Sequence, residues 1–330
     1  MEISRSLLTA MLAAGAMLIC SCGNANTADS GTGAPESITA AAETTTTTMT
    51  SATEAPESVT TEPVTEATTT TAEDRTPVFE GGYEAVETDF SRDGKKIAGV
   101  LYMPNGSGDF PAVILGHGFG ANMANMDGYA RAFANEGIAA YVFDFIGGGN
   151  DIKSDGEMTE MSVLTEAADM NIVFDGIAEL DGIDSSRMFL MGESQGGLVA
   201  TYVAATRPDD ILGLIALYPA YSIQADTRGR TPDIENMPET FTVMGKTLGK
   251  IYNIDIMSFD IYEMIPDINK KALLIHGEAD SLVPVAYSER AVKLFPDAEL
   301  VTIERAGHGF SGKALKEAKQ LSIDFVKGLV

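Results

Sequence analysis

Five residues in the middle of the chain, Gly192-Glu193-Ser194-Gln195-Gly196, have the spacing of a serine nucleophile held on a tight turn. The apolar run at 188–191 predicts a buried strand before them, and 198–206 predicts an alanine-rich helix after them. A serine between strand and helix is forced into a strained backbone, and its hydroxyl stands clear above the sheet. A Cβ at Gly192 or Gly196 would meet neighbouring backbone. The first amides of the following helix have no intrahelical acceptor, so they face whatever charge develops over the serine. In a chain with 33 glycines the pattern alone also fits a structural turn. The flanking strand and helix favour the nucleophile.

Such a serine needs a base, and the chain has three histidines. His117 lies in a glycine-rich turn ahead of the serine. His276 ends the predicted strand 272–275. His308 follows the predicted strand 300–303, within Ala306-Gly307-His308-Gly309-Phe310. An elbow serine of this kind is followed in the chain by its acid and then its base. Only His308 leaves room for an acid beyond an intervening strand. That acid is Asp280, with Glu278 as second candidate. His308 is expected to take the Ser194 proton, while Asp280 holds the imidazole tautomer and stabilises the imidazolium. The oxyanion donors are expected at the amides of Gln195 and Phe119, where Gly118 permits close backbone approach. Losing one such donor raises the barrier by about 3 kcal/mol. His117 reads as scaffolding for that loop.

Elements able to position these groups are visible along the chain. Residues 83–90 and 95–103 predict two strands joined by a turn at 91–94. Further apolar strands fall at 110–115, 138–145, 211–217, 272–275 and 300–303. Helical patterns fall at 123–135, 160–180 and 313–326. Continuous apolar strands alternating with helices predict an α/β fold, with a mostly parallel sheet of about eight strands covered on both faces. Each candidate residue then lies just past a strand end, at one rim. Residues 219–265 break the alternation and are rich in Met, Tyr, Phe and Asp. They predict a small cap over the carboxyl ends of the strands, where open α/β sheets bind ligands. Its Met244, Met257 and Met264 read as packing residues.

The amino end has a different character. Residues 1–22 read as an export signal, with Arg5 before an apolar core at 7–20 that is short for a membrane span. Ile19-Cys20-Ser21-Cys22 places an aliphatic and a small residue ahead of a cysteine, which predicts lipidation at Cys22; an ordinary cleaved signal is the alternative. Both cysteines of the chain lie here, so the exported part has neither disulfides nor thiolate metal ligands. Residues 23–77 are Thr, Ser, Ala, Glu and Pro, and predict a disordered stalk between anchor and the globular part at 78–330. The net charge of −26 argues against nucleic acid or an anionic membrane surface as partner. Membrane contact is expected only through the Cys22 lipid, on the extracellular face, or not at all if the protein is simply secreted.

The chain resembles a known family from about Tyr83 to its carboxyl end. The shared motifs are HGFG at 117–120, SDG at 154–156, GESQGG at 192–197, YPA at 218–220, HGEADSLVP at 276–284 and AGHGF at 306–310. Together they resemble serine esterases of the α/β-hydrolase superfamily, close to bacterial cinnamoyl (feruloyl) esterases. The resemblance implies the α/β-hydrolase fold, a Ser194-Asp280-His308 triad, oxyanion amides at Phe119 and Gln195, and neither metal nor organic cofactor. It also implies a cap subsite for a phenolic hydroxyl, falling on Asp226 and Tyr252. Gly148 and Glu193 stand where relatives often have histidine, and neither change removes a catalytic group. The implied activity is hydrolysis of carboxylic esters through an acyl-enzyme on Ser194, with hydroxycinnamoyl esters of plant cell-wall polysaccharide, or similar small acyl esters, as substrates. A short-chain carboxylesterase, an acetyl esterase and a serine peptidase use the same triad. A binding lipoprotein could share the fold; an intact triad argues against it.

Overall fold

The computed structural model describes residues 75–231 and 233–330. The expected signal, most of the stalk and Cys22 lie outside them. β1 (Val78–Glu87) opens the sheet and pairs antiparallel with β4 (Gly99–Ser107). Between them β2 (Phe90–Arg92) and β3 (Lys95–Ile97) form a separate hairpin, turning at Asp93 and Gly94 with φ of 54° and 77°. The pattern predicted two unbroken strands around this turn. The hairpin leaves the sheet because the Phe90 ring packs against Tyr141 and fills the space beside Gly176, where a Cβ would lie 2.1 Å from it.

The doubly covered part follows. In chain order it comprises β5 (Phe110–Gly116), α1 (Ala124–Ala134), β6 (Ala139–Phe143), α2 (Val163–Ala178), β7 (Ile183–Glu193), α3 (Gln195–Thr206) and β8 (Gly213–Leu217). The cap contains α4 (Ile223–Arg230), the hairpin β9 (Thr240–Val243) and β10 (Lys246–Gly249), α5 (Lys250–Ile256) and α6 (Ile261–Met264). Then come β11 (Lys271–Gly277), α7 (Ala286–Ala291), β12 (Ala298–Ile303) and α8 (Gly312–Lys327).

The main sheet has eight strands in the order β1-β4-β6-β5-β7-β8-β11-β12, parallel from β6 to β12. This is the mostly parallel α/β sheet that the alternation predicts. Every residue of β5 is buried, because successive side chains serve opposite cores. Ala112 and Ile114 join the core under α2 and α3, and Val113 and Leu115 the core under α1 and α8. From β5 the chain goes to β6 on one side, then returns to β7 on the other. The carboxyl ends of β5 and β7 therefore flank a topological switch point, where a crevice must open. A capping box fixes the start of α2: Ser162 Oγ accepts from the Thr165 amide, and Thr165 Oγ1 from the Ser162 amide. It sets Glu166 on the first turn.

Candidate active site

The turn after β7 holds Ser194 at φ 51° and ψ −116°, a strained conformation for a residue with a Cβ. Its amide donates to the Leu217 carbonyl at 2.9 Å, which ties the elbow to β8. The flanking glycines are required by contact. A Cβ on Gly192 would lie 2.1 Å from the Gly196 carbonyl oxygen, and one on Gly196 would lie 2.4 Å from that of His117. The loop after β5 thus presses directly on the first turn of α3.

The structure brings Ser194, His308 and Asp280 into one line. Ser194 Oγ lies 2.9 Å from His308 Nε2, and His308 Nδ1 lies 2.7 Å from Asp280 Oδ2. A carboxylate can only accept, so Nδ1 carries the proton and Nε2 is left with a lone pair facing the serine hydroxyl. Asp280 is buried and fully satisfied. Its Oδ1 accepts from the amides of Leu282 and Val283, both at 2.9 Å. Its Oδ2 also faces His276 Nε2 at 3.3 Å. The His276 ring donates from Nε2 to the Val283 carbonyl and accepts at Nδ1 from Ser288 Oγ. Burial lowers the His276 pKa and keeps the ring neutral, so it supports Asp280 as a dipole. Glu278, the second candidate acid, is exposed and takes the Thr302 hydroxyl at 3.1 Å, away from this line.

Phe119 and Gln195, whose amides are the expected oxyanion donors, line the same cavity as Ser194. Among the described residues, neither the Phe119 nor the Gln195 amide has a hydrogen-bond acceptor. The 118 position lies close enough to the elbow that a Cβ there would be 3.3 Å from Ser194 Cβ. His117 is wholly buried behind this loop; Nδ1 donates to the Gly118 carbonyl and Nε2 accepts from the Phe145 amide. Burial lowers its pKa too, so it braces the loop as a neutral ring.

Sequence reasoning missed a chain of polar side chains under the elbow. Gln195 Nε2 donates to Glu166 Oε2 at 2.8 Å, and Tyr252 donates from its hydroxyl to Gln195 Oε1 at 2.7 Å. Burial holds the Glu166 carboxyl well above the usual range, and the nearby Asp169 charge adds to this against the Gln195 hydrogen bond. A second buried contact flanks His308. The Tyr218 ring meets the imidazole edge to face at 4.8 Å, and its hydroxyl donates to Glu193 Oε2 at 2.6 Å. Burial, with Glu193 beside it, raises the Tyr218 pKa and keeps the donor in place. The one sequence signal for these contacts was Glu193 itself, a carboxylate next to the nucleophile.

Above Ser194 lies a cavity of about 170 Å³ beneath the cap. Phe119, Ala220, Ile223, Val243, Met244 and Val283 give it apolar walls, and Asp226 and Arg230 are its charged groups. Both expected cap residues line it, but differently. Among the described residues, the Asp226 carboxylate takes only the Ser222 hydroxyl, at 2.9 Å. The Tyr252 ring packs on Phe119 with centroids 6.0 Å apart, while its proton goes to Gln195, because that buried amide oxygen needs a donor. Among the described residues no group of three or more His, Cys, Asp or Glu is arranged to hold a metal ion, and no helix is long and apolar enough to cross a membrane.

Comparisons with known proteins agree with this architecture. A family model described as "Serine aminopeptidase, S33" matches residues 110–258, and one described as "TAP-like protein" matches 261–326. Between them they run from β5 to α8. The structure of Est1E from Butyrivibrio proteoclasticus with ferulic acid bound superposes with a TM-score of 0.67 at 26% identity, covering 73% of this chain and 98% of that one. The chain belongs to the α/β-hydrolase superfamily. It is a hydrolase. A 2-hydroxy-6-oxononadienedioate/2-hydroxy-6-oxononatrienedioate hydrolase of Paraburkholderia phymatum is 25% identical to the hydrolase, over 69% of this chain and 90% of its own. The mouse mitochondrial palmitoyl-protein thioesterase ABHD10 is 26% identical, over 63% of this chain and 72% of its own.

Proposed function

We propose that the protein is a serine carboxylic-ester hydrolase that works through an acyl-enzyme on Ser194. The observation that carries this is the unbroken line from Ser194 Oγ through His308 to a fully hydrogen-bonded Asp280. Ser194 Oγ attacks the ester carbonyl carbon as its proton passes to His308 Nε2. The carbonyl oxygen takes the negative charge and is held by the Phe119 and Gln195 amides. Collapse breaks the bond to the alcohol oxygen, which leaves with the His308 proton. Water then attacks the acyl carbon and gives a proton to His308. A second collapse releases the acid and returns that proton to Ser194.

The proposed acyl class is hydroxycinnamoyl, on plant cell-wall polysaccharide or a similar alcohol. The apolar walls suit an aromatic acyl group, Asp226 offers an acceptor for a phenolic hydroxyl, and the Est1E structure holds ferulic acid. The aminopeptidase name of one family model favours a peptidase as second reading. A substrate α-ammonium group needs acidic partners, and the cavity's one carboxylate, Asp226, shares the wall with Arg230. The location belongs to the same proposal: export, with lipid at Cys22 and residues 23–77 giving reach from the membrane.

p-Nitrophenyl acetate should give a burst of nitrophenol equal to the enzyme concentration, absent in Ser194→Ala. Equal hydrolysis by that variant would sink the nucleophile assignment. The parent should prefer methyl ferulate to the acetate in kcat/KM; the reverse preference points to a short-chain esterase. Palmitate labelling of the expressed chain should be lost in Cys22→Ala; an unlabelled parent refutes the anchor.

A further inference from the structure

Ser194 and His308 stand 114 residues apart in the chain, and the loop that carries His308 has little backbone support. It runs from β12 to α8, with glycine on both sides of His308 and φ of 79° at Gly309. Among the described residues, none of residues 307–310 makes a backbone–backbone hydrogen bond. The bond to Asp280 holds one end of the imidazole, at Nδ1. A single hydrogen bond sets the tautomer but leaves the ring free to turn about it, so a second contact must aim Nε2 at the serine. Tyr218, the first residue after β8, supplies one. Its ring meets the imidazole at 4.8 Å and the Phe310 ring at 4.7 Å, both edge to face. Its hydroxyl donates to Glu193 Oε2 at 2.6 Å, and the Phe310 backbone is a further hydrogen-bond partner of that hydroxyl. Glu193 immediately precedes the nucleophile. One buried side chain thus spans from the elbow to both rings of the base loop. It is held at φ 35°, a left-handed value that an aromatic residue rarely adopts. Strain of this kind persists only where the surroundings demand the side chain, and it collects at active sites.

We propose, building on the acyl-enzyme reading, that Tyr218 and Glu193 are positioning residues for the base: they lock the His308 ring against the elbow and keep Nε2 in line with Ser194 Oγ through both half-reactions. The phenol ring sets the plane of the imidazole by contact, and the bond to Glu193 sets the phenol. Neither residue lines the cavity, so neither reads the substrate. Loss of the pair therefore slows acylation and deacylation alike, because His308 is the base in both, and leaves substrate binding unchanged.

The test follows p-nitrophenyl butyrate through single-turnover acylation and then deacylation, in the full chain and in variants. A fluorophosphonate probe run to completion counts active sites, so rates per site are insensitive to the folded fraction. Tyr218→Leu should lower both rates by one common factor of about 100, as for a base misplaced by about 1 Å, with the substrate dissociation constant unchanged. Tyr218→Phe keeps the ring and loses the tie; it should lower both rates about tenfold, and so should Glu193→Ala. Their double variant should fall no further than the slower single, because the two changes remove one tether. Proton NMR should show the His308 Nδ1 proton exchanging faster with water in each variant, which a residue contributing only to stability would not change under native conditions. Tyr129→Phe is the control, since that hydroxyl is equally buried and has no hydrogen-bond partner among the described residues; its rates should stay within about twofold of the parent. Rates within about threefold of the parent in Tyr218→Leu, or in Tyr218→Phe if the first does not fold, overturn the inference. So does a loss confined to acylation, or an equal loss in Tyr129→Phe. Hydrolysis that survives Ser194→Ala refutes the acyl-enzyme reading itself, a separate result.

Discussion

Asp280→Asn isolates the electrostatic part of the proposed mechanism, because the change is isosteric and three donors converge on this side chain. Two are the backbone amides of Leu282 and Val283 and the third is His308 Nδ1, while His276 Nε2, whose proton goes to the Val283 carbonyl, lies 3.3 Å away. If the new amide oxygen stays on the backbone donors, the amide nitrogen faces two ring N–H groups. His276 keeps its 2.9 Å bond to the Val283 carbonyl and need not change. Among the described residues His308 Nδ1 has no other acceptor, so its proton moves to Nε2, which then points an N–H at Ser194 Oγ and cannot accept from it. Serine hydrolases held in the wrong histidine tautomer lose about 10⁴ in kcat, which is about 5.4 kcal/mol of barrier. The reversed amide leaves the Leu282 and Val283 N–H groups without an acceptor, at about 1–3 kcal/mol each, so it is not an escape. Single-turnover acylation by p-nitrophenyl butyrate measures the rate, nitrogen NMR of the His308 ring reports the tautomer, and urea unfolding checks the fold. A rate within tenfold of the parent, in a protein with the parent's urea midpoint, would falsify the assignment. Glu278→Gln serves as the paired control and should stay within about twofold, since its carboxylate faces Thr302 at the surface.

Three further outcomes follow from the contacts around the elbow. Gly196→Ala, ordinarily favourable in a helix, should destabilise by about 2 kcal/mol or more and lower kcat, because its Cβ meets the carbonyls of His117 and Gly116 at 2.4 and 2.5 Å; unfolding curves and turnover check both. Tyr252→Phe leaves Gln195 Oε1 buried without a donor and should cost about 1–3 kcal/mol in urea unfolding; an unchanged midpoint contradicts the buried chain. Glu166 has a folded-state pKa raised above its ordinary 4.5, so the stability it contributes is present below that pH and is lost as pH rises through the folded value. Glu166→Gln should therefore gain on the parent above about pH 4.5, by up to about 1.4 kcal/mol per pH unit until the folded value is passed. Unfolding at pH 5, 7 and 9 tests this, and a gap that does not widen with pH refutes it.

The primary structure by itself determined the sheet and the order of its reactive groups. Seven-residue β5 carries side chains for two cores, so it can only be a strand covered on both faces, and its pattern says so locally. Gly192 and Gly196 around Ser194 are equally local, since the elbow admits no Cβ at either position. Tertiary structure alone decided the rest. That Asp280, rather than Glu278 two residues earlier, reaches His308 depends on where β11 ends, because Glu278 faces out to Thr302 on neighbouring β12 and Asp280 turns in. The link from Glu166 through Gln195 to Tyr252 joins α2, α3 and α5, three segments with no shared sequence pattern.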